Sequence, residues 1–204
     1  NIIGLDHLKN ISLYANENSC SPSFINILDD NNYHTIRGTI LHKYIEKIAN
    51  LRVNIININI ITITANLAAD IIESAIAPEL VSKMQTEITE MLNEFIQTPF
   101  AAWLLAPEHT MCENEYAITI KKGDNIKNII IDRTFIDENN NRWIVDYKTT
   151  NKEILNFEKF CIEQKNKYYN QLSEYAQEFI GENRNIVCCL YFIPLQKYLT
   201  FDIA

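Results

Sequence analysis

The sequence lacks several features that would place it in a special class of protein. It holds no uncharged run of about 20 apolar residues, and its most hydrophobic region, 53–76, is interrupted by asparagines and an aspartate, so we expect no membrane span. No basic segment followed by an apolar one opens the chain, which argues against a secretory signal. Only four glycines and five prolines occur, with no linker rich in either, and 204 residues suit a single domain.

Positive charge and paired cysteines are also scarce. Lysine and arginine number 18 against 26 aspartates and glutamates, and the net charge of −8 argues against nucleic-acid binding by bulk electrostatics. An enzyme site with a bridging metal fits this balance, because carboxylate ligands are themselves negative. The five cysteines are odd in number and form no CxxC pair, which predicts a reduced, cytoplasmic protein without a zinc or iron–sulfur framework. Asn1 in place of a starting Met suggests a piece of a longer polypeptide.

The hydrophobic periodicity predicts an α+β fold in which a mixed β-sheet is flanked by helices. Residues 1–35 are expected to be a polar opening segment, and 36–110 a mostly helical half whose first helix begins near Gly38. The run 53–64 is β-branched but does not alternate, so its strand and helix interpretations both stay open. Residues 111–204 predict a sheet core: three strands with a polar hairpin loop at 137–141, a long helix from 157, and two further strands.

Acidic residues on two neighbouring predicted strands carry the strongest functional pattern. Asp146 and Lys148 are two residues apart, so their side chains share one face of a strand. A hairpin centred on Asn139 places Asp132 opposite Asp146, and a slip of one residue would turn Asp132 to the other face. Two close carboxylates repel unless a cation lies between them, and oxygen ligands favour Mg²⁺ or Mn²⁺. An exposed hairpin with a cross-strand Asp–Lys ion pair is the alternative, but Asp132 follows three isoleucines and needs a compensating partner there.

These residues resemble a known family. Ile131-Asp132-Arg133 followed by Val145-Asp146-Tyr147-Lys148-Thr149 is similar to the catalytic hairpin of the PD-(D/E)XK nuclease superfamily, and more narrowly of the RecB/AddA-type nuclease domains of helicase–nucleases. Gly38-Thr39-Ile40-Leu41-His42 resembles the G-T-x-x-H helix start of that subgroup. Tyr168-x-x-Gln171-x-x-x-Tyr175 resembles its Q-x-x-x-Y motif. The motifs occur in the family's order along residues 36–193, with Ile131 in place of the superfamily's proline.

The resemblance implies a restriction-endonuclease-like core and Mg²⁺-dependent hydrolysis of DNA phosphodiester bonds, with Mn²⁺ able to substitute. The implied metal ligands are His42, Asp132, Asp146 and the backbone carbonyl of Tyr147. Lys148 would position the attacking water, while Gln171 and Tyr175 would contact substrate phosphate. The cysteines do not match the positions used by iron–sulfur relatives, so no cluster is expected.

The subgroup also carries a glutamate on its first strand. Either Glu113 or Glu115 could fill that place, and Glu113 is the preferred residue because it lies two residues before a second acid and three before Tyr116.

Simpler interpretations accompany several of these residues. A lone histidine such as His42 is usually a surface or hydrogen-bonded core residue, and the spacing of Gln171 and Tyr175 also suits core packing. The lysine pairs 121–122 and 165/167 could meet a DNA backbone or be solvated.

The implied partners are DNA, a helicase domain upstream in the same chain and a second subunit. An inactive scaffold that binds DNA or a subunit, and a freestanding RecB-like exonuclease of a defence or mobile element, are the alternatives.

Overall fold

The computed structural model describes residues 22–122, 125–150 and 154–202. Its helices are α1 (Pro22–Asn50), α2 (Ile60–Ile63), α3 (Leu67–Glu73), α4 (Pro78–Ile96), α5 (Pro99–Leu104) and α6 (Phe157–Ala176). Its strands are β1 (Thr110–Lys122), β2 (Asn125–Ile136), β3 (Arg142–Lys148), β4 (Ile186–Phe192) and β5 (Lys197–Asp202). Short 3₁₀ turns occupy Ile55–Asn57, Gln177–Glu182 and Ile193–Leu195.

The five strands form one mixed sheet in the order β1-β2-β3-β4-β5. Strands β3 and β4 are parallel, and the other neighbours are antiparallel. The parallel pair needs a crossover, and α6 supplies it. A helical first half followed by a mixed sheet with helices confirms the predicted α+β class.

Hydrophobic cores cover both faces of the sheet. One core, which we call the α1 cluster, joins the first five helices to sheet residues that include Phe135, Val145 and Tyr147. The other, the α6 cluster, joins α6 to sheet residues that include Ile131, Ile144 and Leu190. Alternate residues of β3 therefore serve opposite cores, so this strand is buried on both faces.

The run 53–64 contains no strand and forms a 3₁₀ turn (Ile55–Asn57) followed by the short helix α2 (Ile60–Ile63). The side chains of Asn54 and Asn59 accept hydrogen bonds from the backbone N–H groups of Ile56 (3.1 Å) and Ile61 (3.0 Å), and so start a 3₁₀ turn and α2. Asparagine at these two positions caps helical turns, which decides the open alternative against a strand.

Helix α1 begins at Pro22, so the predicted start near Gly38 is wrong, and residues 1–21 of the predicted opening segment lie outside the described residues. Tyr33 is buried in the α1 cluster, and this packing outweighs the weak helix propensity of the asparagine-rich stretch. Gly38 lies in the middle of the helix. A Cβ at this position would come within 3.1 Å of Thr149 Oγ1, just beyond β3, which explains why the residue is a glycine. The glycine therefore reflects close packing of α1 on the sheet rather than a helix end.

The β2–β3 hairpin has the predicted register. Its ladder pairs Ile136 with Arg142 and continues to Arg133 opposite Val145, which centres the turn on Asn139. The ladder ends there, one pair short of Asp132 and Asp146. These two aspartates therefore stand where β2 and β3 separate.

Candidate metal centre

Asp132 joins three elements of the fold. One carboxylate oxygen accepts a hydrogen bond of 2.6 Å from the backbone N–H of Tyr147 on β3, and the other lies 3.5 Å from Nδ1 of His42 on α1. Ile131 belongs to the α6 cluster and Phe135 to the α1 cluster, although regular alternation would put residues four apart on one side. Asp132 thus lies in the part of β2 where the side chains switch from the α6 cluster to the α1 cluster. Its carboxylate contacts His42 on α1, which a shared sheet face with Asp146 alone does not predict.

The glutamate of this site is Glu115. One ligand atom each from His42, Glu115 and Asp132 lies within 4.8 Å of the others, so the three side chains could share one ion. Glu113, the residue preferred from the sequence, is exposed and is not part of this group. Glu115 has a left-handed backbone with φ of 46°, which a non-glycine residue rarely adopts and which sequence pattern alone does not reveal.

Asp146 and Lys148 form a buried ion pair beside this group. Asp146 is 6% exposed, and its carboxylate is in direct contact with the Lys148 ammonium. The Lys148 side chain is 16% exposed, and its Nζ lies 4.0 Å from the centre of the Tyr168 ring on α6. The alternative of an exposed hairpin with a cross-strand Asp–Lys pair is therefore wrong, because Asp146 and Lys148 pair along one strand and both are largely withdrawn from solvent.

The carboxylates of the site disfavour one another's charge. Burial and then the neighbouring charge of Asp132 raise the pKa of Asp146, and the same two causes raise the pKa of Glu115. For His42, burial works against the imidazolium, but the hydrogen bond and charge of Asp132, with the charges of Asp146 and Glu115, outweigh it and raise the pKa. A bound cation would relieve the repulsion between these carboxylates, whereas at His42 it would have to replace the proton that they favour.

The Gln171 and Tyr175 motif lies on the same side as the ion pair. Gln171 Nε2 donates a 2.7 Å hydrogen bond to the Tyr175 hydroxyl oxygen, and Tyr175 is buried in the α6 cluster. Burial raises the pKa of Tyr175, and the charges of Asp146 and Asp132 add to this effect. The tyrosine therefore packs in the core and also senses the charge of the acidic site, so the two interpretations are compatible.

The main chain of Tyr147 is part of the site, because its N–H donates a hydrogen bond to Asp132. The Tyr147 ring lies in the α1 cluster and meets the His42 ring edge-on at a centroid distance of 5.8 Å.

A cleft of about 330 Å³ gives access beside His42; it is lined by Thr39, His42, Lys43, Glu46 and Glu115. Solvent can thus reach the site from the exposed side of α1.

The candidate DNA-contacting lysines differ in their positions. Lys167 Nζ lies 4.8 Å from the Tyr168 ring centre, next to the site. Lys165 Nζ lies 5.3 Å from the ring centre of Phe201 on β5. The side chains at 121 and 122 lie outside what the structure describes.

No known protein-family model matches this chain, and no curated protein is significantly similar to it in sequence. Of the helices in the described ranges, none has both the length and the apolarity needed to cross a lipid bilayer.

Proposed function

We propose that this chain is a metal-dependent DNA nuclease domain with a restriction-endonuclease-like core, resembling the C-terminal nuclease module of AddA/RecB-type helicase–nucleases. The proposal rests on one observation: a group of three possible metal ligands lies near a buried Asp–Lys ion pair. His42, Glu115 and Asp132 have ligand atoms within 4.8 Å of one another. Asp146, in its buried pair with Lys148, is not one of these three residues, but it lies near enough for the charges of Asp132 and His42 to act on its carboxylate. Carboxylates, one imidazole and one lysine at the opening of a β-hairpin are the donor set expected for divalent-metal hydrolysis.

The residues present fit Mg²⁺ or Mn²⁺. Oxygen donors predominate, as hard divalent cations require, and burial together with the neighbouring charge of Asp132 raises the pKa of both Asp146 and Glu115. His42, Asp132, Asp146 and Glu115 would hold the ion, with the carbonyl of Tyr147 as a further ligand. When bound, such a metal polarises a phosphodiester oxygen and lowers the pKa of water.

The chain's own residues would divide the remaining work. Lys148 is held beside Asp146 and would orient a water molecule and offset negative charge on the phosphate. Gln171 and Tyr175, joined by their hydrogen bond, would position the phosphate from the α6 side. Hydrolysis of this kind leaves a 5′-phosphate and a 3′-hydroxyl. The proposed setting is cytoplasmic, with DNA as substrate and an upstream helicase domain and a second subunit as partners.

The test is cleavage of end-labelled single- and double-stranded DNA with Mg²⁺, with Mn²⁺ and with EDTA. We expect products with either metal and none in EDTA. Asp146→Asn should lose cleavage, whereas Asp137→Asn, which alters an equally buried aspartate at the far end of the same hairpin, should retain it. Cleavage that persists in EDTA would refute the metal site, and DNA binding without cleavage would favour an inactive scaffold.

A further inference from the structure

The Lys148 ammonium has a second partner besides Asp146. Its Nζ lies 4.0 Å from the centre of the Tyr168 ring, well within the range of a cation–π contact. Lys167 Nζ lies on the same ring at 4.8 Å. Tyr168 therefore contacts both the lysine of the site and a lysine of the surface.

The Tyr168 ring has a fixed position. It is half-buried and packs against the α6 cluster, one helical turn before Gln171 on the same face of α6. A ring anchored in this way can hold a lysine head group, whose four-carbon stem is otherwise flexible.

An aromatic face and a carboxylate hold an ammonium differently. Asp146 is a ligand in the proposed site, so a bound metal would share its negative charge and would weaken its attraction for Lys148. The ring's attraction comes from its quadrupole, and the ring face offers no lone pair that takes up a lysine N–H. Contact with Tyr168 therefore keeps Nζ in place, and the N–H groups that do not face the ring stay free to point at a water or a phosphate.

We propose that Tyr168 is a positioning residue whose aromatic face holds the Lys148 ammonium at the end of β3. This inference rests on the proposed nuclease function for its effect on rate, but the placement of the lysine can be measured separately. The ring, and not the hydroxyl, carries the role.

The first test is NMR of protein labelled with ¹³C at the lysine Cε. Resonances of Lys148 and Lys167 are assigned as those missing from Lys148→Arg and Lys167→Arg. We expect the Lys148 Hε signal to be displaced upfield by the ring current in wild type and Tyr168→Phe, and to return to the common lysine position in Tyr168→Leu. An undisplaced Lys148 signal in wild type would overturn the proposal.

The second test is kinetic and uses Tyr169→Leu as the matched control, since the neighbouring Tyr169 is more exposed and stacks on Phe201 instead. Tyr168→Leu should lower kcat about tenfold, less than the roughly 10²-fold or greater effect expected when the lysine itself is lost, with the Mn²⁺ dissociation constant unchanged. Tyr168→Phe and Tyr169→Leu should cleave at the wild-type rate.

The possible outcomes are distinct. Wild-type kcat in Tyr168→Leu, or a tenfold loss in Tyr168→Phe, would overturn the positioning role of the ring. Weaker Mn²⁺ binding in Tyr168→Leu would also overturn it, because the ring would then support the ligands rather than the lysine. If wild type cleaves no DNA, the nuclease function fails, and the lysine resonances still decide whether Tyr168 holds Lys148.

Discussion

The two ends of the β2–β3 hairpin each bury an aspartate, and the two carboxyls have opposite properties. Asp137 is 7% exposed and Asp146 is 6% exposed. Asp137 accepts hydrogen bonds from the backbone of Asn139 (3.0 Å), the backbone and amide of Asn141 (2.8 and 3.0 Å) and the Trp143 indole (2.8 Å). Burial works to raise the pKa of Asp137, but these donors outweigh it and lower the pKa, whereas burial and Asp132 raise the pKa of Asp146.

Burial alone therefore does not distinguish a structural carboxyl from a functional one. The closed end of the hairpin surrounds Asp137 with donors, so its charge stabilises the turn. The open end places Asp146 among other carboxylates with Lys148 as its contacting cation, an arrangement that costs stability unless a further cation binds. The predictions below separate these two ends.

The largest contrast is expected between Asp146→Asn and Asp137→Asn. The first removes a proposed ligand and should lower cleavage by about 10³-fold. Loss of the ion pair with Lys148 is offset by relief from burial and from the charge of Asp132, so the metal-free protein should lose less stability than Asp137→Asn does. The second leaves buried donors unpaired and should cost roughly 2 kcal/mol of unfolding free energy, with cleavage per folded molecule unchanged. Urea unfolding and cleavage rates of both variants check this, and an Asp146→Asn variant that loses as much unfolding free energy as Asp137→Asn would contradict the contrast.

The next largest effect on cleavage is expected at Lys148, the cation that contacts Asp146 at the open end of the hairpin. Lys148→Ala should slow cleavage by about 10²-fold or more, because a positioned catalytic group is lost. Lys159→Ala is the control, since Lys159 lies on α6 with its side chain 76% exposed. Single-turnover rates measure the effect, and equal rates in the two variants would remove the assigned role of Lys148.

A smaller effect should separate the two glutamates of β1. Glu115→Gln should weaken Mn²⁺ binding about tenfold, as loss of one charged ligand or its support does. Glu113→Gln makes the same chemical change two residues away, at an exposed position, and should leave the dissociation constant unchanged. Calorimetric titration of both variants decides between them, and the reverse result would restore Glu113 as the site residue.

The smallest effect is the pH dependence of the closed end. Because the pKa of Asp137 is lowered by folding, its charge adds stability above its unfolded value of 3.8, and that stability is lost as the pH falls through the folded value. The stability gap between wild type and Asp137→Asn should therefore narrow below about pH 4. Urea unfolding in EDTA at pH 7 and pH 3 measures it, and a constant gap would show that the Asp137 charge plays no part.

The sequence predicted this hairpin well for a local reason. The polar run 137–141 between two β-branched segments has one good turn, and Asp137 organises that turn by accepting bonds from residues within six positions of itself. Register then follows, because a slip of one residue would exchange the two cores. Strand pairing and the approach of Asp132 to β3 were thus predictable from short-range pattern.

Other features depend on contacts distant in sequence. Glu115 takes its place through a left-handed backbone in mid-strand, which its neighbours do not specify. Gly38 looked like a helix start, yet its small size accommodates Thr149 at the end of β3. The alternation of side chains between the two cores is interrupted near Asp132, where β2 separates from β3. This separation depends on tertiary packing, so the alternating sequence pattern does not predict it.

Calorimetric titration with Mn²⁺ at pH 7.5 tests the central claim most directly, namely that the open end of the hairpin is a divalent-metal site to which α1 contributes. Wild type and Asp137→Asn should bind Mn²⁺ with equal dissociation constants. His42→Ala should bind about tenfold more weakly, and Asp132→Asn should lose binding, since Asp132 joins α1, β2 and β3. Equal dissociation constants in wild type, His42→Ala and Asp132→Asn would contradict the account.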